Sequence, residues 1–284
     1  MENIIKNEKP MWRGVCTAVI TPFSGGEIDY PALENILNIQ IANGVASILV
    51  LGTTGEGPTI SETERRLVVK FTTEVVRKRV PVIVGIGGNN PASIIKFGLC
   101  AKANGADAVM ITAPYYNKTT QAGAVAFFNT VMNEIGMPVL VYNIPGRVAM
   151  NIEPATLAEI CKNPHVIGVK ESSGCIEQIQ AIVDLCKGTP IYVGDDGLAL
   201  ASYAVGCIGV VSVTSNARPV EIVEIFELFD RGEVTIARKA FYDQLPFVKS
   251  LFTQVNPIPI KYEMARLNLC RNEVRLPLVP MLGR

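Results

Sequence analysis

Val166-Ile167-Gly168-Val169-Lys170-Glu171-Ser172-Ser173-Gly174 is a short apolar run that ends on a lysine and then breaks into small polar residues. The run reads as a buried strand and the break as its end. A lysine amine, with an ordinary pKa of roughly 10.4, is protonated and non-nucleophilic at neutral pH. Desolvation at the mouth of an apolar barrel favours the neutral form, which can condense with a keto acid to a Schiff base. Taken alone, a lysine at a strand end is more simply a solvated charge. What decides between the two readings is the rest of the chain.

Seven further runs of the same kind occur, at Val15 to Ile20, Ser47 to Leu51, Val80 to Gly85, Asp107 to Thr112, Pro138 to Tyr142, Pro190 to Gly194 and Ile208 to Ser212. Segments with helical spacing separate them. Several carry start signals: Asp29 ahead of Tyr30 and Pro31, Ser61 with Glu64 as a capping box, and Asn90 before Pro91. Continuously apolar strands alternating with helices fit a parallel sheet covered by helices, and eight units predict an α/β fold of the (β/α)8 TIM-barrel type. A doubly wound open sheet competes. Its dinucleotide turn is poorly represented, because Gly85-Ile86-Gly87-Gly88-Asn89-Asn90 lacks the third spaced glycine. Pro219 to Asp230 is expected to close the barrel, and Glu233 to Thr253 and Pro257 to Leu269 to form two more helices. The expected organisation is a barrel over residues 1–231 and a small C-terminal helical appendage over 232–284, packed on it without a linker.

With 284 residues, 49% of them hydrophobic and no net charge, the chain has material for one large core and no basic block for nucleic acid or anionic membrane. No apolar run approaches the ~20 residues of a membrane span, and Met1 to Pro10 is polar with charges of both signs, unlike a secretory signal. A cytoplasmic protein acting on a small molecule is expected. The seven cysteines are scattered without a C-x-x-C pair, and the sole histidine, His165, falls at the end of its strand opposite Lys170. A zinc aldolase needs several imidazoles and a Ser-His-Asp hydrolase needs one in its site, so the chemistry is expected to run without histidine, metal or other cofactor.

In a barrel, function gathers at the C-terminal ends of the strands. Those ends present Gly52-Thr53-Thr54-Gly55-Glu56, Pro114-Tyr115-Tyr116, Tyr142-Asn143-Ile144-Pro145-Gly146-Arg147, Lys170 and Gly194-Asp195-Asp196. Thr53 and Thr54 between glycines can cradle a carboxylate through hydroxyls and backbone N–H groups, or simply form a polar turn into the Ser61 capping box. Tyr115 and Tyr116 can be an interface or core pair, and Tyr142 can carry a proton over the barrel centre or cap the core. Arg147 can clamp a carboxylate bidentately or lie in solvent. Asp195 and Asp196 are expected to secure their loop by hydrogen bonds.

Taken together, these strings resemble the dihydrodipicolinate synthase / N-acetylneuraminate lyase family of Schiff-base aldolases. The resemblance runs from Gly14 to Pro280 and includes Pro-Tyr-Tyr-Asn at 114 to 117, Gly-Val-Lys-Glu at 168 to 171 and Asn-Pro-Ile-Pro-Ile-Lys at 256 to 261. It implies that Lys170 condenses with pyruvate while Tyr142 shuttles protons between imine and enamine. It implies too that Thr53 links Tyr142 to a Tyr116 reaching in from a neighbouring subunit, that Thr54 holds the pyruvate carboxylate, that Val211 lines the pyruvate pocket, and that Arg147 binds the carboxylate of aspartate 4-semialdehyde. The expected activity is condensation of those two substrates to 4-hydroxy-tetrahydrodipicolinate for lysine and diaminopimelate, in a homotetramer built as a dimer of dimers. A sialic-acid or sugar-acid lyase on the same scaffold is the alternative, and a non-catalytic binding barrel a further one. Arg147 favours a short carboxylated aldehyde over a long polyol, and the set Lys170, Tyr142, Thr53 and Tyr116 argues against a barrel without chemistry.

Overall fold

The computed structural model describes residues 11–282; Met1 to Pro10, read above as unlike a secretory signal, and the last two residues lie outside the described residues. In chain order the elements begin with β1 (Gly14–Ala18), a hairpin of β2 (Phe23–Ser24) and β3 (Glu27–Ile28), α1 (Tyr30–Ala42), β4 (Ser47–Val50), α2 (Glu62–Val76), β5 (Val82–Gly85), α3 (Pro91–Ala103), β6 (Ala108–Thr112) and α4 (Gln121–Ile135). They continue with β7 (Val139–Asn143), the short turn α5 (Pro145–Val148), α6 (Pro154–Ile160), β8 (Val166–Glu171), α7 (Ile176–Leu185), β9 (Ile191–Val193), α8 (Ala199–Ala204), β10 (Gly209–Ser212), α9 (Pro219–Asp230), α10 (Val234–Ser250) and α11 (Ile258–Arg266). The eight strands expected from the sequence are all present and form a closed barrel in the order β1-β10-β9-β8-β7-β6-β5-β4. Closure is made by β1, which pairs in parallel with both β4 and β10 and so excludes the open sheet.

Strand alternation explains why the runs are continuously apolar. Cys16, Leu49, Ile83, Met110, Leu140, Tyr142 and Val211 turn inward and fill the barrel, whereas Val15, Ile48, Val84, Val109, Val141 and Val210 turn outward against the helices. Both faces of each strand are therefore buried. At the N-terminal end, Trp12 stacks on Tyr192 with ring centroids 4.0 Å apart, and the Tyr192 hydroxyl donates to the Trp12 carbonyl at 2.8 Å. This plug closes the floor, so the usable opening lies at the other end.

The helix starts follow their local signals. Asp29 accepts from Ala32 N and Asn90 from Ala92 N, both at 3.0 Å. Ser61 and Glu64 make the reciprocal capping box, with Ser61 N donating to Glu64 Oε2 at 2.8 Å. Each such cap contributes about 1 kcal/mol to its helix. His165 lies just before β8, at the opposite end from Lys170, where its carbonyl accepts from Val139 N at 2.8 Å.

Two features were not read from the sequence. Gly25 and Gly26, with φ of 63° and 85°, supply the doubly left-handed turn that a tight hairpin between β2 and β3 requires. The segment after α11 runs back across that hairpin, and Glu273 accepts from Gly25 N and Gly26 N at 2.9 and 2.5 Å. The appendage is thus strapped to the barrel near its mouth. Among the described residues no helix is long and apolar enough to cross a membrane.

Candidate active site

Lys170 stands on β8 in register with Tyr142 of β7 and Tyr192 of β9, both of which point into the barrel. The alternation therefore sends Lys170 inward and Glu171 outward. The lysine is 6% exposed, and its Nζ lies 4.1 Å from the centroid of the Tyr142 ring, which is itself 3% exposed. No carboxylate among the described residues forms an ion pair with it. Its path to the mouth is kept open by Gly194 on the neighbouring strand end. A Cβ there would fall 2.6 Å from Lys170 Cε and 2.1 Å from Ser172 Oγ.

Above the lysine lies a cavity of about 490 Å³, whose wall includes Thr53, Thr54, Tyr142, Arg147, Lys170 and Asn256. The 52–57 turn reaches it because its glycines permit close backbone approach: a Cβ at Gly57 would sit 2.2 Å from the Leu51 carbonyl oxygen, and one at Gly55 2.9 Å from Leu51 N. Thr54 is buried, and its Oγ1 accepts from Asn256 Nδ2 at 3.0 Å. Arg147, on the exposed α5 turn, donates from Nη2 to the Asn256 carbonyl at 3.2 Å. Val248, Phe252 and Asn256 bring the appendage into the wall, a contribution the sequence reading did not assign.

A second cavity of about 330 Å³ adjoins the first and shares Thr53, Tyr142, Arg147 and Asn256 with it, adding Tyr115 and the strap residues Pro277 and Leu278. Lys170, Tyr142, Thr53, Thr54 and Arg147 are thus brought together. Val211 lies deeper, in the barrel interior beside Tyr142, and Val213 is the residue of that strand's end that reaches the cavity. Tyr116 is not brought in: it is 91% exposed, with a left-handed φ of 71°, and lines neither cavity.

Beneath the loops, buried polar groups hold the frame. Asp196 accepts from Val213 N and Thr214 N, each at 2.9 Å, and Asp195 from Gly197 N at 2.9 Å, the loop-securing role read for the pair. Burial raises the Asp196 pKa, against the lowering effect of these hydrogen bonds. Glu171, fully buried on the outer face of β8, accepts from Asn143 Nδ2 at 2.9 Å, Ser173 N at 2.6 Å and Gln178 Nε2 at 3.3 Å. Asn143 also donates to Asn151 Oδ1 at 2.8 Å, which ties the end of the Arg147 loop into the same network.

On the opposite flank Glu56 and Lys261 form a buried ion pair beneath the 52–57 turn. Desolvation lowers the Lys261 pKa, and the Glu56 charge opposes that shift. The sequence offered a signal in Asn-Pro-Ile-Pro-Ile-Lys at 256 to 261, but nothing local says that its ends touch Thr54 and Glu56. Among the described residues no group of three or more His, Cys, Asp or Glu side chains is placed to hold a metal.

Fold and site define a (β/α)8 barrel with a lysine-centred cavity at its C-terminal mouth. Residues 11–283 match the dihydrodipicolinate synthetase family, and the chain belongs to it. A 4-hydroxy-tetrahydrodipicolinate synthase of Endomicrobium trichonymphae is 42% identical over 272 residues, covering 95% of this chain and 94% of the relative. The crystal structure of dihydrodipicolinate synthase from Thermotoga maritima superposes with a TM-score of 0.94 at 38% identity, over 96% of this chain and 94% of that one. A chloride-inhibited dihydrodipicolinate synthase from Acinetobacter baumannii, solved in complex with pyruvate, has a TM-score of 0.93 at 32% identity, over 95% of this chain and 94% of that one.

Proposed function

We propose that the protein is a Schiff-base-forming lyase that condenses pyruvate with L-aspartate 4-semialdehyde to 4-hydroxy-tetrahydrodipicolinate, in lysine and diaminopimelate biosynthesis. The observation that carries the reading is the buried Lys170 amine 4.1 Å from the Tyr142 ring centroid, on a cavity shared with Thr53, Thr54 and Arg147. The relatives called 4-hydroxy-tetrahydrodipicolinate synthase support the choice of substrates.

Lys170 attacks the pyruvate ketone, and loss of water leaves an iminium. The iminium draws electrons from the adjacent methyl group, whose proton then leaves to give an enamine. Tyr142, whose ring lies beside the Lys170 amine, carries that proton, with Thr53 as the hydroxyl link to solvent or to another phenol. The enamine carbon attacks the aldehyde carbon of the second substrate. That substrate's own amine then displaces Lys170 from the imine, closing the ring and regenerating the free lysine, so that one water is released overall. Thr54 and the backbone N–H groups of the glycine turn receive the pyruvate carboxylate, and Arg147 that of the aldehyde.

Tyr116 enters through assembly. A tyrosine that is 91% exposed and held at a left-handed φ has its phenol displayed outward, where a second copy in a homotetramer, a dimer of dimers, receives it beside Thr53. The odd, scattered set of cysteines fits a reducing cytoplasm. The activity is tested by supplying purified protein with pyruvate and aspartate 4-semialdehyde and, separately, with N-acetylneuraminate. Condensation is expected to be the faster reaction, and faster cleavage of the sugar acid contradicts the assignment.

A further inference from the structure

The Glu56–Lys261 pair lies outside the reaction just described, yet it ties the 52–57 turn at the cavity to helix α11 and the returning strap. Glu56 is held in the left-handed region at φ 52° and ψ 31°, with its N–H donating to Thr53 O at 3.1 Å. Its side chain is therefore fixed relative to the two threonines that precede it. One carboxylate oxygen meets Lys261 Nζ, and the other accepts from Arg275 N at 2.9 Å. Lys261 also donates to Glu273 O at 2.9 Å and lies 3.9 Å from the centroid of the Phe23 ring. One carboxylate thus meets three chain segments: the 52–57 turn, helix α11 and the returning strap.

Helix α11 carries this anchor to the substrate site. Lys261 N donates to Pro257 O at 3.0 Å, in the first turn of the helix, and Asn256 immediately precedes that turn. Asn256 donates to Thr54 Oγ1 at 3.0 Å through its side chain and accepts from Arg147 at 3.2 Å through its carbonyl. Thr54 and Arg147, which stand on loops from different strands, are spanned by this one residue of the appendage. The two side chains of the ion pair are 1% and 0% exposed, so both charges are stripped of water. Well-packed apolar residues of similar volume commonly match or exceed the stability of such a pair, so stability alone does not call for it. What an apolar pair cannot supply is direction: the fixed lengths and angles that set α11 against the turn.

We propose that Glu56 and Lys261 are positioning residues for the substrate-carboxylate site, locking α11 to the 52–57 turn so that Asn256 spans Thr54 and Arg147. The inference rests on the Schiff-base reading for what the site binds. A displacement of α11 of the order of 1 Å would move Asn256 off one or both partners and loosen the clamp on both substrate carboxylates.

The test compares the parent with a Glu56→Gln/Lys261→Met double variant, which removes both buried charges and nearly preserves volume. The double variant is expected to fold, to accept pyruvate on Lys170 under borohydride at saturating pyruvate, and to show KM values for both substrates raised about tenfold with kcat within about threefold. A core variant with a matched loss of melting temperature, Ile36→Val, is expected to keep the parent KM values, which separates positioning from mere stability. KM values within twofold of the parent in the double variant overturn the proposal. If that variant does not fold, Glu56→Gln alone replaces it, with KM values raised about threefold expected and parent values overturning. Calorimetric titration with pyruvate reads the same shift without turnover: an apparent Kd raised about tenfold supports the proposal, and an unchanged Kd overturns it. A parent that gives no borohydride adduct is instead a failure of the Schiff-base reading, and the calorimetric arm still decides the positioning inference.

Discussion

Gly194→Ala is the smallest change that reaches the centre of the site. An added Cβ would lie 2.6 Å from Lys170 Cε, 3.3 Å from Lys170 Cγ and 2.1 Å from Ser172 Oγ. Carbon atoms in contact normally sit about 3.5–4.0 Å apart, so the lysine stem must retreat by roughly 1 Å and Ser172 by a similar amount. Overpacking of this kind costs about 1–3 kcal/mol in stability. The larger consequence is kinetic, because a 1 Å displacement of a reacting group costs on the order of 100-fold in rate. The assay is kcat for condensation together with thermal melting, with Gly146→Ala as control. Gly146 is exposed, has nothing within 4 Å of its Cβ position and lies in the Arg147 turn, so its substitution is expected within about 0.5 kcal/mol of the parent. A Gly194→Ala protein with kcat within threefold of the parent refutes the claim that Gly194 is there to pass the lysine.

Three other outcomes follow from named contacts. Glu171→Gln sets an amide NH2 among the donors of Asn143, Ser173 and Gln178 and is expected to lower stability by about 1–3 kcal/mol in denaturant unfolding, whereas an unchanged midpoint contradicts the network. Hydrogen bonds from Arg275 hold the Glu64 carboxyl at about 2, below its ordinary 4.5. A depressed folded pKa stabilises above the unfolded value and is lost as pH falls through the folded one, so, with solvent screening of this partly exposed pair, on the order of 1 kcal/mol should disappear between pH 5 and 2. Melting of Glu64→Gln should lack that part of the acid slope, and identical slopes refute the assignment. Finally, Tyr116→Phe and Tyr142→Phe chains, each impaired alone, are expected to regain activity when dissociated, mixed and reassembled, because one site per mixed dimer recovers both phenols; mixtures that stay inactive count against sharing.

Where the determinants are local, the sequence was enough. The eight strands, the Asp29, Ser61 and Asn90 caps and the opposite placement of His165 and Lys170 all follow from apolar runs and capping residues a few positions apart. The mouth residues followed from knowing that strands end there, which is why Thr53, Thr54, Tyr142, Arg147 and Lys170 lie on one cavity. Residues whose partners are distant in the chain were not legible. Asn256 meets Thr54, Glu56 meets Lys261, and Glu273 meets Gly25 and Gly26, all across more than 200 positions. The space left by Gly194 shows only once Lys170 is placed beside it. The Gly25-Gly26 turn was a readable hairpin signal, but its two-residue strands are too short to give a periodic pattern. Val211 is one strand step deeper than the cavity wall, a distinction set by the tilt and stagger of the closed barrel.

The central claim is that Lys170 forms an imine with pyruvate. Incubating the protein with pyruvate and borohydride, then measuring intact mass and sequencing the modified peptide, tests it directly. The predicted result is a single reduced pyruvyl adduct per chain, located on Lys170 and absent from Lys170→Ala; an unmodified chain, or an adduct on another lysine, contradicts the account.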